Sequence, residues 1–158
     1  MLQLPREIAE VCAELIAAHP LQSAMPMLRG ASPVHTERVE TIVRARPIAD
    51  HPELAAALWL YVDDLYRSHV VAQSLPDPTG AYWHGIMHRR EGDFANSRYW
   101  MRRAASHPLL RDHPELDPVG LVNAVEEDAG ANAAALVERQ RQEWRLLFEW
   151  CASQALRR

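Results

Sequence analysis

Three histidines in the middle of the sequence have a spacing that suits metal chemistry. His84 and His88 lie four residues apart, so on a helix they share one face. His69 precedes them across a proline-containing segment, and an antiparallel return of the chain would bring it level with the pair. Neutral imidazoles are ligands of zinc, iron and manganese. The spacing therefore predicts that the three histidines converge and could hold a divalent transition metal.

Two carboxylates follow the histidine pair. Glu91 or Asp93 could complete the coordination of a metal whose open position admits water, as in a metal-dependent hydrolase or oxidoreductase. The pattern differs from the metalloprotease motif, because no glutamate directly follows His84. Without a metal, the histidines could act as general bases, although no nucleophile motif accompanies them. In a purely structural alternative they hydrogen-bond inside the core to backbone or to Tyr82, Tyr99 or Asn96.

Arginines crowd the same segment of an otherwise acidic chain, at Arg89, Arg90, Arg98, Arg102, Arg103 and Arg111. Guanidinium groups suit phosphate or carboxylate, and interleaved aromatics suit a planar ligand. This combination predicts a ligand-binding domain for a small anionic ligand, with a pocket lined by His69, His84, His88, Glu91, Asp93, Asn96, Arg89, Arg102 and Arg103. Alternatively, the arginines form a solvated face paired with acids such as Asp63 and Glu126.

Amphipathic periodicity predicts the helices that must position these groups. The predicted helices span residues 5–18, 35–45, 52–73, 81–91, 94–105, 118–128 and 133–156. No segment combines two-residue alternation with β-branched enrichment, so we expect no sheet. The prediction is an all-α bundle of six or seven helices forming one domain over residues 1–158. In it, the hairpin 81–105 packs against helix 52–73 and the C-terminal helix.

The stretch 81–108 resembles a single tetratricopeptide-type helical hairpin. The matching residues are Gly85, Gly92, Asp93, Phe94, Ser97, Met101, Ala104 and Pro108. The resemblance implies close approach of two helices, and by analogy a module that binds a protein partner. In that motif the positions of His84 and His88 normally carry apolar or aromatic side chains. Imidazoles buried there would require specific partners.

A longer string, Ser68-His69 followed by residues 80–108, contains the core His-Gly-Ile-Met-His-Arg-Arg-Glu-Gly-Asp-Phe. It is similar to a widespread, mainly bacterial family of uncharacterised proteins. The similarity implies that this segment is the defining feature of the family. It implies no particular activity.

Composition and cysteine usage narrow the classes of partner and the cellular compartment to be expected for the protein. The chain has 158 residues, and its net charge of −4 argues against nucleic-acid binding. Cys12 and Cys151 lie in amphipathic patterns, which predicts reduced, buried thiols in a reducing compartment. No stretch is apolar enough to cross a bilayer, and the first ten residues lack the apolar core of a signal peptide. We therefore expect a cytoplasmic protein that does not enter membranes.

Overall fold

The computed structural model describes residues 1–157, and no strand occurs among them. Its α-helices are α1 (Arg6–Ala18), α2 (Thr36–Arg44), α3 (Pro52–Tyr61), α4 (Leu65–Ala72), α5 (Pro78–Glu91), α6 (Phe94–Arg103), α7 (Pro108–Asp112), α8 (Pro118–Asp128) and α9 (Ala134–Ala155). Short 3₁₀ turns lie at Ile48–Asp50 and Pro114–Leu116. The prediction of an all-α, single-domain bundle without a sheet is confirmed.

Helix α5 lies at the centre of the bundle. Every residue from Thr79 to Arg90 is buried, because α4 and α6 pack along α5 and α3 also contacts it. An ordinary surface helix buries only one stripe of its circumference. The polar side chains of α5 consequently have to find their partners inside the protein.

Helices α5 and α6 form a tight antiparallel hairpin. Gly92 ends α5 with φ +89°, a left-handed conformation that glycine adopts without strain, and the next residue caps α6. The hydroxyl of Ser97 donates to the carbonyl of Gly85 at 2.6 Å. A Cβ added at Gly85 would lie only 2.6 Å from the Sδ atom of Met101. Glycine and serine therefore permit the close approach of the two helices.

The helix predicted over residues 52–73 is two helices in the structure, α3 and α4, because the helical backbone ends at Tyr61 and resumes at Leu65. Asp63 adopts a left-handed conformation with φ +64°, and the carboxylate of Asp64 caps α4 by accepting from the amide of Arg67. The guanidinium of Arg90 donates to the carbonyl of Leu60 at 3.0 Å and to the Asp63 carboxylate at 2.5 Å. This buried side chain from α5 stabilises the break.

The described residues contain nine α-helices in place of the predicted six or seven. Division of the predicted third helix accounts for one, and α7 accounts for another. Pro108 suits the first turn of α7, and the ring of His107 caps it by accepting from the amide of Leu109. The prolines of residues 106–118 thus start short helices where an irregular segment was expected.

The long helix α9 packs against α3, α7 and α8 and contributes to the core. The indole of Trp144 donates to the carbonyl of Ala57 at 2.8 Å and stacks on Phe148. Cys12 and Cys151 are buried thiols, and no disulfide joins them, as predicted. Within residues 1–157, no helix combines the length and apolar character needed to span a bilayer.

The buried pair between Arg90 and Asp63 yields a stability prediction. The substitution R90M leaves the Asp63 carboxylate buried without its counter-charge, so we expect the free energy of unfolding to fall by about 3–5 kcal/mol. Adding D63N removes that charge and keeps a residue type that tolerates a left-handed backbone. Urea unfolding followed by circular dichroism should show partial recovery. A double variant no more stable than R90M would contradict this pairing.

His107 yields a second stability prediction. Its ring is 2% exposed and pairs with Thr79 Oγ1 at 2.9 Å; burial lowers its pKa from 6.5 to about 4, against a smaller opposing effect of Asp77. The unfolded chain therefore takes up the proton first as the pH falls. Stability from the neutral ring is complete above pH 6.5 and is lost between pH 6.5 and about 4.

The variant H107N keeps an acceptor that can cap α7 and removes the titration. Urea unfolding of metal-free protein should show a steeper loss of stability for the wild type than for H107N over that pH range. Parallel pH profiles would exclude His107 as a source of acid sensitivity.

Candidate metal centre

Three histidines converge on one face of α5. Helix α4 runs back along α5 and places the ring of His69 4.8 Å from that of His84 and 5.5 Å from that of His88, between centroids. The rings of His84 and His88 are 4.8 Å apart. Each of the three residues offers a ring nitrogen within 4.8 Å of those of the other two. The structure thus brings together the residues whose spacing predicted a metal site.

His84 forms the deepest part of the cluster. It is 5% exposed, and its ring stacks on the indole of Trp100 at 4.0 Å with an interplanar angle of 13°. Burial, together with the smaller effects of the neighbouring rings of His88 and His69, lowers the pKa of His84 from 6.5 to about 4. The imidazole is therefore neutral near pH 7, the form that coordinates a metal.

Glu91 fixes the orientation of His88. The Nδ1 atom of His88 lies 2.6 Å from a carboxylate oxygen of Glu91, one turn along the helix. Because an ionised carboxylate can only accept, Nδ1 carries a proton, and in the neutral ring Nε2 then keeps a lone pair. Carboxylates hold metal-binding histidines in this way and increase their basicity.

The cluster is accessible from solvent through a cavity of about 320 Å³, which is called the lower cavity here. Its lining residues are Leu65, Tyr66, His69, Met87, His88 and Glu91. The side chain of Tyr66 is 76% exposed at the mouth. An ion or a water molecule can therefore reach His69 and His88.

The geometry approaches that of a three-histidine site. With Zn–N bonds of about 2.0–2.1 Å, tetrahedral ligands place their nitrogens roughly 3.3 Å apart. The ring nitrogens here lie within 4.8 Å of one another. Side-chain movements that shorten the distances between the ring nitrogens by about 1–1.5 Å would bring all three within bonding distance of one ion. Three protein ligands leave a fourth position for water or substrate.

A second group of possible ligands, His88, Glu91 and Asp93, is also mutually close, with ligand atoms within 4.8 Å. However, the carboxylate of Asp93 caps α6 by accepting from the amide and the side-chain nitrogen of Asn96, at 3.2 and 2.8 Å. These hydrogen bonds lower the pKa of Asp93. Asp93 and Asn96, both predicted to line the pocket, therefore serve to start the helix.

The predicted arginines separate into different environments. Arg89 is fully buried on the side of α5 that faces α9, where it donates to Glu143 at 2.8 Å. The hydroxyl of Tyr82 donates to the same carboxylate at 3.1 Å. Arg102 is exposed on α6, one turn beyond Arg98, which pairs with α8 at Glu126. Arg89 and Arg102 thus lie away from the histidines.

Sequence reasoning missed two features of this region. The stacking of Trp100 on His84 depends on the register between α5 and α6, which the sequence does not specify. The pairing of Glu143 with Arg89 had a possible signal, because Glu143 lies one turn from Gln140 on a predicted inner face. Asp63 and Glu126, the acids named in the alternative of a solvated arginine face, do pair with Arg90 and Arg98, but the pair of Arg90 with Asp63 is buried rather than solvated.

No protein-family model, curated protein or solved structure significantly matches this chain. The resemblances to a bacterial family and to a tetratricopeptide hairpin stay predictions. Fold and site define the protein as an all-α bundle with a three-histidine cluster beside its central helix.

The contact between His88 and Glu91 predicts the tautomer of the histidine. In metal-free protein at pH 8, two-dimensional ¹⁵N–¹³C NMR should show the proton of His88 on Nδ1. The substitution E91A removes the acceptor, so the Nε2–H form should gain population. The matched variant E126A, on the exposed surface of α8, should leave the signals unchanged. Identical tautomer populations in E91A and wild type would contradict the assigned hydrogen bond.

Proposed function

We propose that the protein is a ligand-binding helical domain that binds a divalent transition-metal ion through His69, His84 and His88. The supporting observation is that the rings converge while no protein group hydrogen-bonds to the ring of His69 or of His84 in the described chain. A bound metal ion would satisfy the nitrogens that the protein leaves unsatisfied.

The purely structural alternative is not supported by the partners expected for it. Tyr82 donates to Glu143 on the other side of α5, and Asn96 donates to Asp93 at the helix cap. Tyr99 is half exposed and contacts the edge of Trp100. The three side chains that could have accepted or donated hydrogen bonds to the histidines are therefore engaged elsewhere.

The donor set favours a transition metal over an anion or a hard cation. Neutral imidazoles present lone pairs, which attract cations, and nitrogen ligands select zinc or iron over calcium or magnesium. Of the arginines predicted for an anion pocket around the histidines, Arg89 already has a buried carboxylate partner. A metal is therefore the ligand that best fits the cluster.

The open position points to hydrolysis as the chemistry of a zinc-loaded centre. Zinc with three protein ligands lowers the pKa of its bound water to about 7, and so supplies hydroxide at neutral pH. Glu91, through its contact with His88, would orient one ligand and strengthen the site. Iron or manganese at the same residues would support oxidoreductase chemistry instead, so identification of the native metal distinguishes the two reactions.

Metal analysis tests the proposal directly. Untagged protein should retain about one equivalent of Zn²⁺ or Co²⁺ after dialysis, and Co²⁺ should give the intense visible absorption of tetrahedral coordination. H84A and H88A should lose the metal, and H113A, which removes a partly exposed histidine far along the chain, should keep it.

The variant H69Q provides a second test in case a substitution on the central helix impairs folding, because His69 is only half-buried. Circular dichroism reports whether each variant is folded. Absence of bound metal in folded wild-type protein, or equal metal content in wild type and all three variants, would overturn the proposal.

A further inference from the structure

A second cavity, called the upper cavity here, lies beyond the histidine cluster along α5. It has a volume of about 430 Å³ and is lined by Gln73, Leu75, Pro76, Asp77, Pro78, Ala81, Trp100 and Arg103. It meets the N-terminal half of α5, whereas the lower cavity meets the C-terminal half. His84 lies between the two and lines neither: its ring stacks on Trp100 of the upper cavity and on His88 of the lower one.

Arg103 is the cationic group of the upper cavity. Its guanidinium lies over the rings of Trp100 and Tyr99, 5.5 and 5.7 Å from their centroids. No carboxylate pairs with Arg103 in the described chain, whereas Arg89, Arg90 and Arg98 all form ion pairs. One N–H of the guanidinium donates to the hydroxyl of Tyr99 at 3.5 Å, and contact with aromatic faces leaves the other N–H groups of this exposed side chain available.

The carboxylate that lines the upper cavity is engaged in a helix cap. Asp77 also lines the cavity, but its carboxylate caps α5 by accepting from the amide of Gly80 at 2.8 Å. Gln73 contributes a neutral amide, and the remaining lining side chains are apolar. The cavity therefore combines an apolar wall, a capping carboxylate and one exposed cation that forms no ion pair, and this cation can pair with an organic molecule that carries an oxyanion.

We propose that the upper cavity binds the anionic end of the substrate, a carboxylate or phosphate group paired with Arg103, while the reacting group reaches the three histidines. This inference rests on the proposed metal function and adds the chemical class of the substrate. Arg103 lies two ring contacts from His84, by way of Trp100. The anionic group is thus separated from the reacting bond by a chain of several atoms.

Binding of simple probes tests this assignment. Calorimetric titrations of zinc-loaded protein use inorganic phosphate, the dicarboxylate glutarate and the neutral analogue glutaramide. We expect phosphate, glutarate or both to bind, and R103Q to weaken that binding at least about tenfold, as expected for loss of a bidentate ion pair. R102Q, which removes the neighbouring exposed arginine, should bind like the wild type. The arms with phosphate and with glutarate show which oxyanion is preferred.

The possible failures are distinguishable. If zinc binds but R103Q and the wild type bind the anions equally, the assignment of Arg103 is overturned and the metal proposal stands. If glutaramide binds as tightly as glutarate and phosphate does not bind, the anionic class of substrate is overturned. If zinc does not bind, the proposed function fails, and titrations of the metal-free protein still show whether Arg103 binds oxyanions.

Discussion

Helix α5 is enclosed by its neighbours from Thr79 to Arg90, and this burial dictates the roles of its polar side chains. A charge or an imidazole removed from water is costly unless a partner inside the protein replaces the solvent. The two arginines meet most of this requirement with carboxylates, Arg89 with Glu143 and Arg90 with Asp63, while the buried Nε of each has no hydrogen-bond partner. These ion pairs connect α5 to α9 and to the turn between α3 and α4.

The histidines of α5 answer the same requirement differently. His88 has Glu91, but His84 has only other rings around it, namely His69, His88 and Trp100. Three imidazoles lie together and two of them have no hydrogen-bonding partner on the ring; the proposed metal ion would complete this arrangement. A metal at this position would link α4 to α5, so binding would also stabilise the fold by mass action.

The lower cavity, the histidine cluster and the upper cavity follow one another along the surface of α5 between α4 and α6. The lower cavity exposes His69 and His88, and the upper cavity carries Arg103 above an apolar wall. Trp100 joins the two by contacting both the arginine and His84. The α5–α6 hairpin can hold these groups closely because Gly85 and Ser97 bring its helices together.

Local patterns in the sequence determined the helical class, most helix positions and the shared face of His84 and His88, because helical periodicity depends only on near neighbours. The convergence of His69 followed from the short connection to α5. Tertiary structure alone decided that the predicted third helix is interrupted after Tyr61. It also decided that Arg89 pairs with Glu143, 54 residues away in sequence. Such choices depend on which distant groups share a buried space, and that is settled only when the helices pack.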